Sequence, residues 1–129
     1  MRARLNGFLA GTLLAAALTG CDDLCSSELL RSVRAPDGTI ARLEKKNCGA
    51  TVDYIYEVKA VDRDGSSHLV LRFDPNNSMG WPDDAHVMDM RWRGSQLELD
   101  IHPPVRVFRQ KSKLNGVPVR YTFAPGSEL

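Results

Sequence analysis

Met88-Asp89-Met90-Arg91-Trp92-Arg93-Gly94-Ser95-Gln96-Leu97-Glu98-Leu99-Asp100-Ile101 decides the fold. Apolar and charged residues alternate on both sides of Gly94-Ser95, the period of a strand with one face on a core. With Gly94 and Ser95 as a two-residue hairpin loop, Arg93 opposes Gln96. The same register opposes Trp92 to Leu97, Met90 to Leu99 and Met88 to Ile101, so every large apolar residue falls on one side. On the other side Arg91 faces Glu98, a favourable cross-strand pair, and Asp89 faces Asp100, an unfavourable one unless a neighbour compensates.

Outward from this hairpin, turn signals recur: Pro36-Asp37-Gly38, Asp62-Arg63-Asp64-Gly65, Pro75-Asn76-Asn77, Pro103-Pro104 and Asn115-Gly116. Between them, Val52, Tyr54, Tyr56, Val58 and Ala60 share one face while Asp53, Glu57 and Lys59 take the other. Val117, Val119, Tyr121 and Phe123 alternate in the same way. Strands are expected near 28–34, 39–47, 51–61, 67–73, 87–92, 96–102, 105–110 and 117–123, with 28–34 compatible also with a helical turn. The fold class is all-β: a small antiparallel sandwich or twisted sheet of about seven or eight short strands.

The chain opens with an address. Arg2 and Arg4 precede an uncharged apolar run from Leu5 to Leu18, the basic and hydrophobic regions of a secretory signal, too short for a comfortable membrane span. Leu18-Thr19-Gly20-Cys21 resembles the lipobox of bacterial lipoproteins. That resemblance implies cleavage before Cys21 and fatty acyl chains such as palmitate on Cys21, which anchor the chain in the membrane. Two or more chains give the stable anchoring that one cannot. The domains then read as a signal peptide over 1–20, a lipidated tether over 21–27 and one β domain over 28–129. Asp22, next to the cysteine, tilts the location within a bacterial cell envelope towards the periplasmic face of the inner membrane, as in lipoproteins of enteric bacteria.

The chain has 129 residues, with seventeen Lys and Arg against sixteen Asp and Glu. Losing residues 1–20 leaves fifteen basic and sixteen acidic side chains, a formal charge of −1. Bulk charge therefore gives no support to nucleic-acid binding or to electrostatic attraction by anionic lipid. With Cys21 acylated, Cys25 and Cys48 remain, and an even remainder in an oxidising compartment reads as one disulfide.

Ala35-Pro36-Asp37-Gly38, a strand, and then Cys48-Gly49-Ala50-Thr51 resemble an uncharacterised family of small bacterial lipoproteins and secreted proteins. Trp92, Leu99-Asp100-Ile101 and Gly116 to Tyr121 extend the likeness across residues 25–123. It departs from the family pattern at Ala35 and Val52. The resemblance implies fold and compartment; it carries no activity.

No catalytic motif or cofactor fingerprint stands out. Ser26-Ser27 and Ser66-Ser67 lack a nucleophile-elbow context, and Asp62-Arg63-Asp64-Gly65 fails as a calcium loop because Phe73 stands where a glutamate is needed. Charge is uneven, however. Asp74 to Asp89 holds four aspartates and no Lys or Arg, while Arg91 to Arg120 holds seven Lys or Arg and only Glu98 and Asp100 as acids. The molecular function is not legible. The sequence favours a non-enzymatic, membrane-anchored binding domain with an envelope protein as partner, contacting it through Trp81, Asp83, Asp84, Arg91 and Arg93. One alternative is a metal-assisted envelope hydrolase built on His86, His102 and Asp89. Another is a structural or immunity-type lipoprotein.

Acylation is checked directly. The mature chain should carry a lipid-modified Cys21 at its N-terminus in intact-mass spectrometry, and Cys21→Ala should accumulate as uncleaved, unacylated precursor. A wild-type chain retaining residues 1–20 with a free Cys21 thiol would remove the anchor.

Overall fold

The computed structural model describes residues 25–48, 54–75 and 84–129. The strands are β1 (Ser26–Arg34), β2 (Ile40–Asn47), β3 (Ile55–Val61), β4 (Ser67–Pro75), β5 (Met88–Arg93), β6 (Gln96–Ile101), β7 (Val105–Gln110), β8 (Lys113–Leu114), β9 (Val117–Pro118) and β10 (Arg120–Phe123). A 3-10 turn, Asp84–His86, precedes β5. Sheet order is β1-β2-β3-β4-β7 in the larger sheet and β10-β6-β5 in the smaller, with β8-β9 as a separate two-stranded hairpin.

The β5–β6 register is the one the alternation dictates: Met88 pairs with Ile101, Met90 with Leu99, Trp92 with Leu97 and Arg93 with Gln96. Gly94 takes a φ of 60°, open to glycine at the first position of a two-residue hairpin loop. Met88, Met90, Leu97, Leu99 and Ile101 are buried, and they share one core with Leu43, Tyr56, Val58, Leu71, Phe73 and Val105 of the larger sheet. Two inner faces therefore meet as a sandwich. Tyr56 and Phe73, cross-strand neighbours, stack with ring centroids 5.4 Å apart.

The N-terminal strand is β, not helical: β1 pairs antiparallel with β2 along its length, with a bulge between Leu29 and Arg31. Cys25 and Cys48 are disulfide-bonded. They sit one residue beyond the Ser26–Asn47 pair, so the bridge continues the ladder where hydrogen bonding ends. The Asp62–Gly65 segment is the β3–β4 hairpin turn: the Gly65 N–H donates to the Asp62 carbonyl, and the Asp62 N–H donates to that of Ser66.

The expected last strand, 117–123, is divided. Asn115 and Gly116, at φ 51° and 82°, turn β8 into β9. The Val119 N–H then donates to Ser112, and the chain leaves its hairpin partner for the smaller sheet. There β10 runs parallel to β6, pairing Arg120 with Glu98 and Phe123 with Ile101. Parallel neighbours need a crossover, and the excursion through β7 to β9 provides it.

Edges are covered rather than left as templates for another chain. Arg31 of β1 donates to the carbonyls of Met88 and Ala85, and Trp92 Nε1 donates to that of Val33, closing the seam between β1 and β5. At the far edge, Val107 donates to Glu128 and Glu128 donates to Val105, so the C-terminal segment lies along β7.

The disulfide fastens an edge strand whose outer half is exposed. A Cys25→Ser/Cys48→Ser chain should unfold in urea with stability lowered by ~2–4 kcal/mol, the usual worth of such a loop closure. An unchanged midpoint would mean that β1 is held by its ladder, Arg31 and Trp92 without help from the bridge.

Candidate functional site

The outward face of the smaller sheet gathers the chemistry. Because inner positions of β5 and β6 are apolar, Asp89, Arg91, Arg93, Glu98 and Asp100 must point out, and β10 adds Arg120 and Thr122 beside them. Together they line a groove of about 250 Å³.

Glu98 is its centre. In register it stands between Arg91 on β5 and Arg120 on β10. Arg91 Nε donates to Oε1 at 2.8 Å, while Arg93 Nε and Arg120 Nη1 stand 3.7 and 3.9 Å from Oε2. The carboxylate side chain is 8% exposed, the three guanidinium side chains 65–74%. One carboxylate thus orders three arginines and neutralises one charge, leaving a positive surplus towards solvent. The hydrogen bond from Arg91, with the nearby charges of Arg93 and Arg120, holds the Glu98 carboxyl below its ordinary value.

The other end of the groove is acidic. Asp89 and Asp100 are direct cross-strand partners, as the register requires. Two side chains from outside the hairpin reach this pair. His102 Nε2 lies 3.2 Å from Asp89 Oδ2 and 3.9 Å from Asp100 Oδ2, and Arg31 Nη1 lies 3.6 Å from Asp89 Oδ1. His102 Nδ1 is 2.9 Å from the carbonyl oxygen of His86. Asp89, Asp100 and His102 offer ligand atoms all within 4.8 Å of one another.

The sequence-derived candidates separate. Arg91 and Arg93 share the arginine cluster. Asp84 does not join them; it accepts from Tyr56 Oη at 2.8 Å and from Lys45 Nζ at 3.0 Å, pinning the 3-10 turn to the larger sheet. Burial, reinforced by that hydrogen bond, pushes the Tyr56 phenol well above its usual range. His86 meets His102 through its backbone, and its imidazole is outside the Asp89–Asp100–His102 group. His68, the third histidine, is partly exposed and lies apart from the groove, with Nε2 2.8 Å from Asp62 Oδ2. Cys21, Asp22, Gly49 to Thr51, Trp81 and Asp83 lie outside the described residues.

Glu98, Arg120 and Asp100 are groove members that sequence reasoning missed as site residues; Glu98 was legible only as the cross-strand partner of Arg91. Arg120 belongs to a strand whose neighbour is distant in the chain. Asp100 carried a signal, its like-charge opposition to Asp89. Glu57, expected on a solvent face, is 1% exposed instead, under Arg72 Nε at 2.7 Å with Lys46 and Lys59 nearby. That second carboxylate-centred cluster ties β2, β3 and β4 together on the opposite side of the molecule.

Comparison of the chain with family models, curated proteins and solved structures finds no match. No helix among the described residues is long and apolar enough to cross a membrane.

The lowered Glu98 pKa fixes the sign of a pH effect. A group held below its unfolded value stabilises above that value and loses the contribution as pH falls through the folded one. Wild type should therefore exceed Glu98→Gln in stability at neutral pH, and the gap should close as pH drops below 4.5, the ordinary glutamate value. Thermal melts across that range read it; a gap independent of pH would assign the difference to packing.

Proposed function

We propose that the chain is a non-enzymatic binding domain, tethered to the envelope membrane through Cys21, that takes an acidic segment of an envelope protein on its arginine face. The observation that carries this is the arrangement of Arg91, Arg93 and Arg120 around a single sequestered carboxylate. Such an arrangement spends one guanidinium charge on structure and holds the others in a fixed, exposed geometry. Arginine forks match carboxylates bidentately, and pre-ordering by Glu98 lowers the entropy lost when a partner arrives. The net charge of the mature chain is close to neutral, so attraction comes from this local field and not from the molecule as a whole.

A catalytic reading draws less support. His86 does not bring its ring to the His102 cluster, and nothing in the groove pairs a nucleophile with a base. The lipobox, the apolar run before it and the family resemblance all support the tether and the compartment. They do not bear on the partner.

The test is capture from solubilised envelope with the acylated chain as bait. Specific retention should fall steeply with salt, and Arg93→Glu/Arg120→Glu should reduce it at least tenfold, while Trp81→Ala reports whether that residue adds to the same surface. Retention insensitive to both salt and charge reversal would rule out the arginine face.

A further inference from the structure

The geometry points to a divalent transition-metal site of the zinc type at Asp89, Asp100 and His102, independent of the binding role proposed for the arginines. The argument begins with donors and acceptors. A carbonyl oxygen only accepts, so the 2.9 Å contact with His86 makes His102 Nδ1 the protonated nitrogen. In the neutral ring that leaves Nε2 as a lone pair, and it faces Asp89 Oδ2 at 3.2 Å and Asp100 Oδ2 at 3.9 Å. Three acceptors converge with no donor among them. A proton on Nε2 satisfies one contact well and the longer one poorly, whereas a divalent cation at the centroid satisfies all three.

Each further feature agrees. A backbone carbonyl on the second ring nitrogen is the arrangement that orients metal-binding histidines. Asp89 and Asp100 oppose each other directly across β5 and β6, a like-charge pair that a shared cation relieves. Arg31 approaches the other oxygen of Asp89, at 3.6 Å, and leaves Oδ2 to the site. Tetrahedral zinc with Zn–N and Zn–O distances of about 2.0–2.2 Å sets its ligand atoms roughly 3.3–3.5 Å apart, a span that the two observed separations bracket. An imidazole with two carboxylates selects first-row metals over calcium, which takes oxygen ligands in larger number. The ligands are 39–59% exposed, so the metal enters from solvent, and three protein ligands leave a position for water or a partner's carboxylate.

Calorimetry with zinc chloride alone, on the full acylated chain in detergent, tests the assignment. One equivalent should bind wild type, with affinity at least tenfold weaker in His102→Gln and in Asp100→Asn and unchanged in His68→Gln. Zinc should also raise the Tm of wild type and not of His102→Gln. Nitrogen NMR of the wild-type imidazoles needs no variant and should show the zinc-induced shift at His102 Nε2. Binding retained by His102→Gln, binding lost in His68→Gln, or a His102 Nε2 resonance unmoved by zinc would each overturn the site.

Discussion

Strict alternation through β5 and β6 is the constraint on which the rest depends. Five large side chains on one face of that hairpin, Met88, Met90, Leu97, Leu99 and Ile101, are removed from water. Each contributes about 1.5–3 kcal/mol when fully buried. A one-residue slip would exchange that face for Asp89, Arg91, Glu98 and Asp100, and burying such charges without partners costs several kcal/mol apiece. The register is therefore set by both faces at once. What packs the core also lays the charged residues in two rows on the outside, which is how the groove comes to exist.

Carboxylates at the middle of cation clusters recur as a device. Glu98 orders Arg91, Arg93 and Arg120 on the smaller sheet; Glu57 sits under Arg72, Lys46 and Lys59 on the larger. The two differ in consequence. Around Glu57 the basic side chains are about one-third exposed and cover the carboxylate, so the cluster ties strands together. Around Glu98 the guanidinium groups stand about two-thirds or more exposed, so the same device presents charge to solvent. The proposed binding role rests on that difference in exposure, not on the residue types.

A presented groove needs a rigid support. The disulfide and the Arg31 contacts fix β1, and through it the free side of β5. On the other flank, Tyr121 Oη donates to the carbonyls of Val70 and Lys111, anchoring β10 to the larger sheet. Each outer strand of the groove is thereby tied to the opposite layer by a buried or half-buried hydrogen bond, and the arginines and the His102 cluster ride on backbone that has little freedom to spread.

Local pattern determined most of the architecture. Hairpin register, turn positions, the Cys25–Cys48 bridge and the all-β class are legible because each rests on residues close in the chain or on the parity of the cysteines. The meaning of Asp89 opposite Asp100 was legible as a conflict, but not its resolution. Only the tertiary structure decided that β10 returns parallel to β6, that Arg120 completes the Glu98 cluster, that His102 and Arg31 reach Asp89, and that Asp84 turns away to Tyr56 and Lys45. Those outcomes depend on which strands become neighbours after crossovers between two sheets. A period of two says which way a side chain points along its own strand; it carries no information about which distant strand will lie beside it.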